Sequence, residues 1–85
     1  MIIIPWNEKQ YEVYTMAVLN DMFSKYMEAD EKSGCTLYMP EDIAQVLKCE
    51  LGHFIENTDK DNESHKIAVE MYKQLSEELK ASWYY

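Results

Sequence analysis

The apolar pattern of residues 8–29 is the strongest constraint on how this chain folds. At 100° per residue, its apolar side chains cover an arc of about 220°, whereas a one-sided surface helix needs about 100°. A helix of this kind must be covered on two sides. The sequence therefore predicts a central helix or a self-association face, which we assign to Tyr14, Val18, Met22 and Tyr26.

The N-terminal residues predict an extended arm followed by this helix. Asn7 with Gln10 three residues later is typical of a capping box, so the first helix is predicted over about 8–29. The three isoleucines before Pro5 favour extended backbone, and proline ends the run because it has no amide hydrogen. The arm spans residues 1–6 and would pair with its symmetry mate in a homodimer.

Two further helices follow from local signals. Pro40 is a residue favoured in the first turn, and with the apolar residues spaced by three and four after it predicts a helix over 40–57. The same apolar spacing predicts another helix over 62–82. A chain of 85 residues supports one hydrophobic core and not two. We therefore predict a single all-α domain over residues 1–85, a three-helix fold with an N-terminal arm.

The charge of the chain argues against binding to nucleic acid. The sequence has 16 acidic residues against eight lysines and no arginine, a net charge of −8. Proteins that bind duplexes neutralise phosphates with Lys and Arg and read guanine mostly with Arg. An acidic surface is attracted to a basic protein instead, although such charge also serves solubility alone.

The sequence also bears on the compartment. No apolar run approaches the ~20 residues of a membrane span, and the run over residues 1–4 lacks the basic region and length of a signal peptide. We therefore expect a cytoplasmic protein with Cys35 and Cys49 as reduced thiols.

The residues that could carry chemistry do not form a recognised pattern. Cys49 and His53 are four residues apart, but with Cys35 and His65 they lack the paired spacing of structural zinc sites. A nucleophile would need a positioned base and oxyanion donors, and no motif supplies them. We expect no enzyme activity, no metal and no cofactor, and a partly buried, hydrogen-bonded His65.

Residues 40–57 partly resemble a helix-turn-helix. Ala44 and Leu47 occupy its close-contact and core positions, whereas Lys48 stands where glycine usually makes the turn. The would-be recognition helix over 50–57 has no cation to offer a phosphate or a base. A DNA-binding regulator is therefore one alternative, and a self-assembling structural subunit is another.

Seven Tyr, two Trp and six Met favour a protein-binding role, because these residue types are enriched at interfaces. With the acidic charge, they indicate a non-enzymatic inhibitor or regulator that covers the basic nucleic-acid-binding surface of an enzyme such as a nuclease, acting as a nucleic-acid mimic. Lysine without arginine suits AT-rich coding, which favours a phage or mobile-element counter-defence protein in a host cytoplasm. The predicted contact residues are Glu63, Glu70, Glu77, Glu78, Trp83, Tyr84 and Tyr85.

Overall fold

A three-stranded antiparallel sheet packs beside the helices, so the fold is α+β and the prediction of an all-α domain is wrong. The computed structural model describes residues 2–18, 21–30 and 34–82. Its elements are β1 (Ile2–Trp6), α1 (Glu8–Ala17), a 3₁₀ helix (Asp21–Tyr26), β2 (Met27–Asp30), β3 (Gly34–Met39), α2 (Glu41–Asn57) and α3 (Glu63–Ser82).

The predicted arm is β1, and it pairs within its own chain. The strand order is β1-β3-β2, with Ile2 opposite Met39 and Trp6 opposite Cys35. Successive side chains of a strand point to opposite faces, so alternate residues of β1 and β3 face the helices. The inner residues are Ile2, Ile4, Trp6, Cys35, Leu37 and Met39, and all are buried.

The first helix is much shorter than the predicted 8–29. It begins with the expected capping box, in which the Asn7 side chain accepts from the Gln10 amide at 2.9 Å and the Gln10 side chain accepts from the Asn7 amide at 2.9 Å. It ends at Ala17, because Val18 has an extended backbone. Within the described residues, the chain then forms the 3₁₀ helix and β2. Pairing of β2 with β3 outweighs the helical pattern, since propensity is a weak local preference.

Because α1, the 3₁₀ helix and β2 replace one long helix, there is no wide apolar helix face that a second copy of the chain would have to cover. Tyr14 and Val18 are buried in the core of the chain itself, and Met22 and Tyr26 are partly buried against that core. Self-association through these four residues stays a prediction, but it no longer follows from an uncovered helix face.

The other two helices lie within one residue of their predicted bounds and pack mainly against each other. α3 packs against α2, α1 and β1. Its fully buried residues are Ala68, Met71 and Leu75, and those of α2 are Ala44, Leu47 and Leu51. Their spacing of three and four is the pattern from which both helices were predicted.

Residues 40–57 do not form a helix-turn-helix, because Glu41–Asn57 is one uninterrupted helix. The DNA-binding regulator stays an alternative prediction. Gly52 lies inside it without causing a break. A methyl group at Gly52 would be 3.5 Å from Cε2 of Tyr72, an ordinary contact.

Gly34 is the glycine that the fold requires. Its φ of +100° is a conformation that other residues rarely adopt, and it begins β3 where the backbone of β1 passes closely. A methyl group there would overlap the carbonyl oxygen of Trp6 and lie 2.6 Å from the carbonyl carbon of Asn7.

We expect Gly34→Ala to lower the free energy of unfolding by about 2–4 kcal/mol, since strained backbone alone costs about 1–3 kcal/mol and the overlap adds to it. The matched Gly52→Ala change should raise stability by about 0.5–1 kcal/mol by reducing the entropy of the unfolded chain. Urea denaturation followed by circular dichroism measures both. A Gly34→Ala variant as stable as the parent would contradict the close approach of β3 to β1.

Candidate protein-binding surface

Four glutamates predicted to contact a partner lie on the exposed side of α3. Glu63, Glu70, Glu77 and Glu78 are all exposed, while the opposite side of the helix is buried in the core. The first three are seven residues apart, which corresponds to about 10.5 Å along the axis with a drift of about 20° per step. We call Glu63, Glu70 and Glu77 the α3 row, because they form an almost straight line.

Lysines alternate with the α3 row. Lys66, Lys73 and Lys80 each follow a member of the row by three residues and are exposed. Four glutamates and three lysines leave α3 with a net charge of −1. The helix therefore offers carboxylates at regular positions but contributes little to the long-range field of the molecule.

Half of the net charge comes from α2 and the turn that follows it. The segment 41–61 contains six carboxylates and two lysines, a net charge of −4, against −8 for the chain. Within this segment Glu41 is half-buried and the other carboxylates are exposed. They are Asp42, Glu50, Glu56, Asp59 and Asp61. We call residues 41–61 the acidic segment.

Side chains other than carboxylates hold the turn between α2 and α3. The Thr58 hydroxyl donates to the carbonyl of Phe54 at 2.6 Å, and the Asn62 side chain accepts from the Ser64 amide at 2.9 Å. The half-buried His65 ring places Nδ1 3.1 Å from the carbonyl oxygen of Thr58, which confirms the expected hydrogen bond. These contacts shape the turn without using the carboxylates of Asp59 or Asp61.

An ion pair joins α1 to the start of the α3 row. Lys9 Nζ lies 3.4 Å from Glu63 Oε1, and the two side chains are 72% and 74% exposed. Pairs this exposed typically contribute less than about 1 kcal/mol. Glu63 is thus partly neutralised, whereas Glu70 and Glu77 are the better-placed members of the row for an external cation.

The outer face of the sheet is an exposed surface that the sequence analysis missed. Ile3 pairs directly with Tyr38, and they are 53% and 40% exposed. Glu28 is exposed on β2, and both it and Pro5 pair with Thr36 of the central strand. The missed signal was the alternation of apolar and other residues over 34–39, which is typical of a half-buried strand.

The two cysteines lie on different elements and differ in exposure. Cys35 is buried in β3 and Cys49 is exposed on α2. Burial raises the pKa of the Cys35 thiol, because an apolar surrounding disfavours the thiolate. Across residues 2–18, 21–30 and 34–82, no group of three or more His, Cys, Asp or Glu side chains could hold a metal ion.

Two expectations remain, one about the C-terminal aromatic residues and one about membrane-spanning segments. The predicted aromatic contacts Trp83, Tyr84 and Tyr85 lie outside the described residues. Among the helices that the structure describes, none is long and apolar enough to cross a membrane.

No protein-family model, curated protein or solved structure significantly matches this chain. A function is therefore inferred from the chemistry of the surfaces described above.

The two thiols should differ sharply in reactivity. With Ellman's reagent at about pH 8, we expect one thiol per chain to react quickly, since attack requires an accessible thiolate and Cys49 is exposed. Cys35 should react only after unfolding in guanidinium, because burial both shields it and disfavours its thiolate. A Cys49→Ser variant is the control and should lose the fast phase. Two fast thiols in the native protein would mean that the sheet opens readily.

Proposed function

We propose that this chain is a non-enzymatic inhibitor or regulator that covers a basic, nucleic-acid-binding surface of a target enzyme. It would act in the cytoplasm, and in the host cytoplasm if a phage encodes it. The partner is a basic protein such as a nuclease, which this acidic domain would engage in place of nucleic acid.

The observation that carries this proposal is the outward placement of the carboxylates. The glutamates of the α3 row and the carboxylates of the acidic segment, except half-buried Glu41, expose their side chains to solvent. Neutral hydrogen bonds and apolar packing hold the nearby turn and helices. The exposed carboxylates are therefore available to an external cation.

The two acidic features would serve different steps of binding. The acidic segment has a net charge of −4 and supplies a field that steers a basic partner towards the domain. The α3 row supplies contacts at fixed intervals. Its spacing of about 10.5 Å is close to the roughly 10.2 Å covered by three base pairs of duplex DNA at 3.4 Å each. Lys and Arg side chains along the nucleic-acid-binding groove of the target enzyme would meet carboxylates at a similar interval.

The first test is to capture partners with the purified protein from nuclease-treated lysate of its source cell or host. Capture is run in parallel at physiological salt and at ~0.5 M, where screening shortens the reach of charge to about 4 Å. We expect a basic nucleic-acid enzyme that is lost at high salt. The purified enzyme should then release fluorescently labelled nucleic acid when this protein is added. Recovery of the protein alone would favour the self-assembling subunit.

Charge reversal tests whether the α3 row makes the contact. Glu70→Lys with Glu77→Lys should weaken binding of the captured enzyme by about tenfold or more, because each change replaces an attraction with a repulsion. The matched control is Glu12→Lys with Glu28→Lys, two exposed carboxylates on α1 and β2. Both pairs change the net charge from −8 to −4. Equal weakening by the two pairs would exclude the row as a specific contact.

A further inference from the structure

A surface groove between α2 and α3 has a chemistry opposite to that of the rest of the molecule. Its volume is about 400 Å³, and it is lined by Gln45, Lys48, Ser76, Leu79 and Lys80. Small-molecule sites are typically at least ~300 Å³, so the groove can hold a small organic ligand. Both of its charged lining residues are cations, in a chain with a net charge of −8.

The two ammonium groups that line the groove have no carboxylate partner among the described residues. Within the described part of the chain, neither Lys48 nor Lys80 forms an ion pair within 4.0 Å. The residues one turn away from Lys48 on α2 are uncharged; they are Ala44, Gln45, Leu51 and Gly52. Glu77 precedes Lys80 by about one turn of α3 but does not line the groove. The groove is therefore a local site of positive charge.

The remaining lining residues add an apolar surface and neutral polar groups. Leu79 is 5% exposed and belongs to the core, so it presents an apolar floor. The Ser76 hydroxyl donates to the carbonyl of Tyr72 at 2.9 Å, which leaves its oxygen as an acceptor. Lys48 Nζ lies 5.3 Å from the centroid of the Tyr72 ring, a cation–π contact that favours one position for this ammonium.

We propose that this groove binds a small organic anion, with its oxyanion between Lys48 and Lys80 and its apolar part against Leu79. The shared chemistry is a carboxylate or a phosphate ester on a compact apolar body. Two ammonium groups suit either oxyanion, since each is a flexible donor of up to three hydrogen bonds. This site uses none of the glutamates assigned to the basic partner. A test of anion binding in the groove is therefore independent of a test of the proposed function.

The test is an amide-resolved NMR titration of the full chain with four probes. Benzoate and phenyl phosphate carry the two oxyanions on one ring, inorganic phosphate lacks the ring, and benzyl alcohol lacks the charge. We expect saturable shifts at the five lining residues with benzoate, phenyl phosphate or both, with dissociation constants in the millimolar range. The two charged aromatic probes distinguish a carboxylate site from a phosphate site. Inorganic phosphate and benzyl alcohol should bind at least about tenfold more weakly.

Matched variants then assign the binding to the groove. Lys48→Gln and Lys80→Gln should each weaken the better probe by about threefold to tenfold. Lys66→Gln and Lys73→Gln remove the same charge from exposed positions of α3 outside the groove and should change binding by less than twofold. Circular dichroism verifies that each variant is folded. The proposal is overturned if no probe gives saturable shifts at these residues, if benzyl alcohol binds equally well, or if the control variants weaken binding as much.

Discussion

The antiparallel pairing of β1 with β3 holds the two layers of this protein together. It joins the N-terminal residues to the segment 34–39 and places one apolar face of the sheet against the helices. The ring centroids of Trp6 and Tyr14 are 5.8 Å apart. Those of Tyr14 and Phe23 are 6.5 Å apart, with the two rings nearly perpendicular. These contacts link the sheet to α1 and the 3₁₀ helix. Without the pairing, the inner face of the sheet would have no defined position.

Local signals in the sequence were enough to predict the parts of the fold that local interactions determine. The capping box of Asn7 and Gln10 starts α1, and the apolar spacing after Pro40 defines α2. The predictions of secondary structure were wrong where the structure depends on pairing between residues far apart in the sequence. The segment 8–29 has helical periodicity, but its last residues pair with β3. Strand pairing of this kind depends on a partner that a local pattern does not reveal.

The candidate surfaces were likewise predictable only where a single helix determines them. Exposure of Glu70 and Glu77 was predictable, since both lie opposite a continuous apolar stripe of one helix. The exposed outer face of the sheet was not predictable, because locating it requires residues 34–39 to be assigned to a strand. The groove between α2 and α3 was equally hidden, since Lys48 and Lys80 come together only through the packing of two helices. The result is an acidic domain in which two lysines line one groove of positive charge.

The position of β1 at the edge of the sheet also matters before the chain is complete. β1 leaves the ribosome before its partner strand β3, which follows roughly 30 residues later, after about 2–6 s at typical translation rates. During that interval three consecutive isoleucines have no strand to pair with, and such a segment is a template for aggregation. Pro5 cannot donate a backbone hydrogen bond, so a ladder with another nascent chain would be interrupted there. The proline thus limits how far such a ladder could extend beyond the isoleucines.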